Sequence, residues 1–390
     1  MIRLATLASA LVLAATGGCA SIDVARAGTT ASTAEAASLA TARRVADWQL
    51  DHMEVFDYVG SFQRQTADGR DWIQAAFFIG LTDLADAPGG ERYAAVLERH
   101  GEREAWSYGA RPRHADADAI GQAWIWAAGR AEGDVRSHRL AATVSRFDTV
   151  LAAPSDASMI FDEGPGERPC QVRWCWSDAL FMAPPAWAEL SALTGDDRYL
   201  AHADREFRAT VDALFDRDEK LFYRDSRFIG RPGPSGHKVF WSRGNGWSYA
   251  GIARMLEVMP AGDPRRAYYE SLFREMSARI VTLQGAEGYW PVSLLDAGGP
   301  PETSGTAFFV YGLAWGINHG LLSAAEYGPS VQRGWAGLER AVQPDGRLGW
   351  VQQVGYAPDR VTASDTQLYG VGAFLLASVQ VAKLPSGQAD

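Results

Sequence analysis

The sequence predicts an all-α fold, an (α/α)6 barrel of six helical hairpins, on three observations. Apolar residues recur at helical spacing in twelve separate stretches, strand-like alternation is absent, and the stretches alternate in character along the chain. The expected helices are 33–52, 71–85, 91–100, 117–130, 134–152, 178–193, 197–215, 246–258, 264–283, 304–319, 328–341 and 364–382. The odd-numbered ones are amphipathic, as in Ala34-Glu35-Ala36-Ala37-Ser38-Leu39-Ala40-Thr41-Ala42-Arg43-Arg44, and suit an outer layer with one wet face. The even-numbered ones are apolar nearly all round, as in Gly305-Thr306-Ala307-Phe308-Phe309-Val310-Tyr311-Gly312-Leu313-Ala314-Trp315, and belong inside. Consecutive helices joined as hairpins run antiparallel, so all six inner helices begin at the same rim. No Pro/Ser-rich linker interrupts residues 33–390, which read as one domain.

Ahead of that domain, residues 1–27 have the build of a bacterial export signal. Arg3 supplies the positive n-region, and Leu4 to Thr16 form an apolar core too short to span a bilayer. Two readings of its end stay open. Gly17-Gly18-Cys19 has the small-small-Cys ending of a lipoprotein signal, which would put a lipid on Cys19 and attach the protein to a membrane. Cleavage after Ala25-Arg26-Ala27 would instead release it, and residues 28–32 read as a tether. Either route exports the chain to the periplasm or outer membrane. Export permits a disulfide between Cys170 and Cys175, although two semi-buried thiols fit that spacing equally well. No second Cys/His cluster exists, so no metal is expected, and no cofactor.

A formal net charge of −10 over 390 residues disfavours nucleic acid and anionic membrane surfaces as partners, because both demand clustered Lys/Arg. An anionic small substrate needs only a local cationic patch. Fourteen Trp are enough to line a sugar-binding cleft, where indole faces stack on the apolar faces of pyranose rings.

The unusual residues gather where the inner helices begin: Asp71-Trp72, His114-Ala115-Asp116, Trp176-Ser177-Asp178, Trp241 to Trp247, Glu302 to Gly305 and Ser364-Asp365-Thr366. Capping accounts for Ser364 or Thr303. It does not account for the Trp and Arg beside them, so a cleft at this rim is the expected site. Asp178 precedes an apolar helix start and has Trp174 and Trp176 as neighbours. A carboxyl among indoles loses hydration, which raises its pKa and lets it donate a proton near neutrality. Asp116, with Asp118 nearby, is the second carboxylate, suited to orienting water or a sugar hydroxyl. Capping is the competing role for both Asp178 and Asp116. In Trp241-Ser-Arg-Gly-Asn-Gly-Trp247 the glycines admit close backbone approach, the indoles offer stacking faces, and Arg243 offers a fork for a carboxylate. His237 and Lys238 add donors just upstream.

Together these segments resemble the unsaturated glycuronyl hydrolases of glycoside hydrolase family 105, the unsaturated rhamnogalacturonyl hydrolases. The resemblance rests on Trp176-Ser-Asp-Ala-Leu-Phe-Met-Ala-Pro-Pro185, Leu221-Phe-Tyr-Arg-Asp-Ser-Arg-Phe228, Phe240-Trp-Ser-Arg-Gly-Asn-Gly-Trp247, Gly288-Tyr-Trp290 with Ser293-Leu-Leu-Asp296, and Pro301-Glu-Thr-Ser-Gly-Thr-Ala-Phe-Phe309. It runs from about residue 40 to the C-terminus and implies the same (α/α)6 barrel. It also implies a substrate, an oligosaccharide ending in the 4,5-unsaturated uronic acid that polysaccharide lyases leave behind. Water adds across that vinyl ether, and the resulting hemiketal opens to release the sugar. By resemblance Asp178 protonates C4 and activates the water that attacks C5, and Asp116 is the second aspartate. The resemblance places Trp241, Arg243 and Trp247 around the substrate, and Trp176, Met182, His237, Asn245, Trp290, Thr303 and Ser304 are further candidate contacts. The chain departs from the family at Ala117, at Ser177, and at Glu167 or Arg168, where members often carry a pocket His. Rival readings remain: a family 88 enzyme acting on glycosaminoglycan fragments, an unsaturated glucuronyl hydrolase acting on ulvan or glycosaminoglycan fragments, and a non-catalytic oligosaccharide-binding lipoprotein. The galacturonyl fragments of pectin are the first expectation.

Overall fold

A computed structural model describes residues 20–162 and 168–385. Cys19 and the leader before it lie outside the described residues, as does Glu167. The outer layer consists of α1 (Ala20–Asp51), α4 (Glu91–Arg103), α7 (Gly133–Ala152), α10 (Asp197–Leu214), α12 (Arg266–Val281) and α14 (Ala324–Ala341). The inner layer consists of α3 (Trp72–Asp86), α6 (Gly121–Gly129), α9 (Pro184–Thr194), α11 (Ser242–Val258), α13 (Thr303–Asn318) and α15 (Leu368–Ala382). Each inner helix packs on the next and α15 packs back on α3, so the ring closes as an (α/α)6 barrel. Short helices α2 (Gln63–Thr66), α5 (Ala115–Asp118) and α8 (Ala179–Met182) precede three of the inner helices. The backbone of α1 is helical through 28–32, where the sequence suggests a tether; the lone Gly28 there is no strong helix breaker, and no Pro accompanies it.

Burial separates the layers as the sequence pattern predicts. Every residue of α13 from Thr303 to Ile317 is buried, whereas α10 buries one stripe that includes Tyr199, Leu200, Phe207 and Val211. The inner helices approach closely because glycines face each other. A Cβ on Gly372 of α15 would lie 2.0 Å from the Ala76 carbonyl oxygen of α3, and one on Gly80 would lie 2.3 Å from the Gly372 carbonyl oxygen. Any side chain there would force this seam of the ring apart.

The expected helix 178–193 is broken into α8 and α9 at Pro184-Pro185. Neither proline has an N–H to give, which orphans the carbonyls four residues earlier. The Phe181 oxygen accepts instead from Gln122 Nε2 at 2.9 Å, and the Leu180 oxygen lies against Gly251, whose missing Cβ makes room for it. Helix α14 begins four residues before the expected start and carries Pro329 inside it. The regular strands among the described residues are β1 (Phe215–Asp216) and β2 (Leu221–Phe222), a small antiparallel hairpin at the end where the inner helices begin.

Candidate active site

The inner-helix N-termini form the mouth of the barrel, and Asp178 stands at the start of α8. Its backbone occupies the cap position, but its side chain makes no capping bond. Capping therefore does not explain this residue. The carboxylate accepts from Ser177 Oγ at 3.1 Å and faces Arg224 Nε at 3.6 Å. Only 9% of the residue is exposed. Burial pushes its carboxyl above the usual range, against the opposing pull of Arg224, Arg243 and the Ser177 hydroxyl.

The loop that carries Asp178 is pinned on two sides. Ser177 N–H donates to the Arg224 carbonyl at 2.8 Å, next to a bridge between Trp176 and Asp225, and Ser248 Oγ donates to the Ser177 carbonyl at 3.0 Å. Upstream, Cys170 and Cys175 are joined as a disulfide. Between them Trp174 adopts φ 58°, a left-handed conformation that costs a side-chain-bearing residue roughly 1 kcal/mol or more. Thr210 Oγ1 holds its carbonyl at 2.8 Å.

Asp116 faces the same mouth. Its carboxylate lies 3.4 Å from Arg111 Nη2 and 3.6 Å from His114 Nδ1, and the His114 ring packs 4.8 Å from Trp176. Gln171, on the disulfide loop, reaches His114 Nε2 at 2.8 Å. A third carboxyl, Asp71, caps α3 and accepts from Gln65. Burial, assisted by the charge on Asp116, pushes Asp71 up to about 6. Asp118 is spent on structure: it pairs with Arg146 at 2.5 Å and accepts from Trp187 Nε1 at 3.1 Å, buried behind the mouth.

Arg243 is brought to Asp178 as the sequence expects, but not with an open fork. Its Nη1 and Nη2 donate to the carbonyls of Gln352 and Gln353 at 2.7 and 2.9 Å. The guanidinium is sandwiched between the rings of Trp241 and Tyr369, and the residue is 1% exposed. Trp241 Nε1 and Tyr369 OH also bond Gln352, at 2.8 and 2.6 Å. Arg243 and Trp241 therefore anchor the loop that follows Trp350.

Several expected substrate contacts are buried with their polar groups engaged by the protein. Asn245 gives both amide hydrogens to the carbonyls of Phe222 and Trp241 and accepts from Phe222 N–H, tying β2 to α11. Trp247 packs against Phe181 and Phe308 inside the ring. Trp290 donates to the Ile280 carbonyl, Thr303 Oγ1 to the Gly349 carbonyl, and Ser304 Oγ to Glu302, and all three are fully buried. Met182 and Trp176 are likewise buried, at 1% and 3% exposure, although Trp176 backs Asp178 directly. His237 is exposed on a flanking loop and pairs with Asp296 at 2.9 Å. A residue type suited to sugars does not bind one when its donors and faces are already taken.

Sequence reasoning missed Arg224, Gln171 and Gln352. Arg224 lies within a quoted motif, yet only the bridge between Trp176 and Asp225 brings it to Asp178.

The closed (α/α)6 barrel with an uncommitted buried carboxyl at its mouth defines a fold and a candidate site. Comparison with known proteins gives the family. The model described as Glycosyl Hydrolase Family 88 matches residues 41–385, so the chain belongs to this family and is a glycoside hydrolase. A protein from Alteromonas sp. (strain LOR), named unsaturated 3S-rhamnoglycuronyl hydrolase, is 39% identical over 87% of this chain and 86% of its own. A protein of the same name from Formosa agariphila is 35% identical over 80% of this chain and 85% of its own. The solved structure of a glycosyl hydrolase family 88 protein from Bacteroides vulgatus superposes with a TM-score of 0.77 at 27% identity, covering 90% of this chain and 99% of that one.

Proposed function

We propose that the enzyme removes a 4,5-unsaturated uronic acid from the end of an oligosaccharide by hydrating its double bond. Asp178, in its acid form, donates a proton to C4. Positive charge then develops at C5 next to the ring oxygen, water adds there, and the Asp178 carboxylate takes the proton that water releases. The hemiketal at C5 opens and the leaving sugar departs with its oxygen intact. Asp116 orients the sugar hydroxyls from the opposite wall. The observation that carries this reading is the state of Asp178: buried, raised in proton affinity and not used as a cap. A general acid needs that state near neutral pH. Since the usual two-carboxylate spacing concerns attack at the anomeric carbon, it sets no requirement here.

For the substrate, we place the chain in family 105 on its motifs and propose a 3-sulfated rhamnose as the sugar that follows the uronate. The names of the Alteromonas and Formosa relatives support this over pectin fragments. The test follows loss of vinyl-ether absorbance on unsaturated disaccharides carrying sulfated rhamnose, unsulfated rhamnose or a glycosaminoglycan hexosamine. Preference for the sulfated rhamnoside supports the proposal, and equal turnover of all three ends it.

We further propose that the chain is exported with a lipid on Cys19, a location that the Cys170–Cys175 disulfide suits. Mass spectrometry of the mature protein distinguishes a lipidated Cys19 from a plain N-terminus at Gly28.

A further inference from the structure

The substrate carboxylate is attached to C5, the carbon that takes the water, so whatever cation receives it must stand beside Asp178. Two arginines do. Arg243 has both terminal nitrogens on backbone carbonyls and both faces against aromatic rings. Arg224 is arranged differently. Its Nη1 donates to Asp225 at 2.7 Å, and the completely buried Asp225 is clamped from the other side by Arg227 Nε and Nη2, both at 2.8 Å. On the other side of the Arg224 guanidinium, Nε is buried without a hydrogen-bond partner and Nη2 makes no hydrogen bond to any described residue. Nε faces Asp178 Oδ2 at 3.6 Å, too long for a hydrogen bond, and 15% of the side chain is open to the mouth. The Phe161 ring lies 5.3 Å from the guanidinium.

We propose that Arg224, not Arg243, receives the uronate carboxylate and so selects an acidic sugar, while Arg243 holds the Gln352–Gln353 loop over the mouth. The inference rests on the reaction proposed above. The uncommitted Nη2 can give a carboxylate a charge-assisted hydrogen bond, and Asp225 fixes the guanidinium in place before substrate arrives. The geometry also couples binding to chemistry. Arg224 stabilises the Asp178 anion until the uronate carboxylate shares it. Docking then weakens that hold and favours the proton on Asp178 as the double bond comes within reach.

The test compares kcat/KM for an unsaturated disaccharide and for its uronate methyl ester, which has the same shape without the charge. Wild type should prefer the acid by at least about tenfold, the scale of a charge-assisted hydrogen bond. Arg224→Gln should bring the two substrates close to parity by slowing the acid far more than the ester. Arg243→Gln should slow both by the same factor and leave their ratio intact. Equal slowing of acid and ester in Arg224→Gln, or loss of the preference in Arg243→Gln, overturns the assignment. If Arg224→Gln fails to fold by circular dichroism, Arg224→Lys carries the test, since it keeps the charge and loses the fork. Its acid preference should drop below the wild-type value, and an unchanged preference overturns the assignment. A wild-type enzyme that leaves the double bond intact in both substrates would instead sink the hydration reaction itself.

Discussion

The barrel buries carboxyls at both ends, and the two ends differ in what those carboxyls are bound to. Toward the C-terminal ends of the inner helices, Arg254 gathers the polar groups: Nε donates to Gln122 at 2.7 Å, Nη2 to Glu189 at 3.0 Å, and Nη1 lies 3.5 Å from Asp83. Burial pushes Glu189 up to about 7 and raises Asp83 as well, so raised proton affinity is no monopoly of the mouth. A cavity of about 510 Å³ lies there too, lined by these groups with Tyr311 and Lys383. Yet Arg254 is already satisfied by its own protein, and its partner Gln122 in turn supports the carbonyl freed by the proline break. At the mouth, Asp178 has one hydroxyl donor and a cation beyond hydrogen-bonding distance. The contrast teaches that burial and a shifted pKa do not by themselves mark a site. The groups left uncommitted do.

Three experiments can break or sharpen that contrast. The largest effect belongs to the base. Arg254→Met strands Glu189 and Asp83 without their cation and should cost about 3–5 kcal/mol of stability, the scale for breaking a buried pair. Turnover by the folded protein should stay at the wild-type level. Chemical denaturation alongside kinetics checks both halves, and a variant that keeps its stability but loses turnover would move the site to the base. Asp116→Asn should act in the opposite sense, lowering kcat on the order of 100-fold, the lower end for a positioned carboxylate, with little change in melting. Wild-type kinetics in that variant would remove Asp116 from the mechanism.

The smallest effect concerns Asp71, which burial moves from 3.8 to about 6. Between those pH values the folded state retains a proton that the unfolded chain has released, so stability falls as pH rises through the window. Asn keeps the cap and has no proton to lose. Asp71→Asn and wild type should therefore melt together below about pH 4, with the variant gaining on the order of 3 kcal/mol above about pH 6. A gap that opened toward acid instead would mean that the native state holds Asp71 ionised.

Much of this was legible in the sequence. Twelve periodic stretches give the barrel, and the alternation of amphipathic Ala34–Arg44 with apolar Gly305–Trp315 assigns outer and inner layers. Asp116, Asp178, Trp241 and Arg243 do converge on one mouth, because antiparallel hairpins place all inner N-termini together. The sequence does not show how each polar group is spent. Asn245 and Thr303 look like ligands until their bonds to the Phe222 and Gly349 backbones are seen. Arg224 looks like one arginine among many until a bridge joins residues 49 positions apart and brings it to Asp178. The break at Pro184 was visible as two prolines, but its repair depends on Gln122, which comes from another hairpin.

The central claim is that Asp178 moves the proton, and the measurement that meets it most directly is the turnover of Asp178→Asn at saturating substrate, with binding followed separately by calorimetry. The amide preserves shape and hydrogen bonding but neither donates to C4 nor accepts from water. Turnover should fall by about 100- to 10,000-fold, the contribution of a positioned acid/base, while affinity stays close to that of wild type. A variant that retains more than about a tenth of wild-type turnover, well above what loss of such a group allows, would contradict the account.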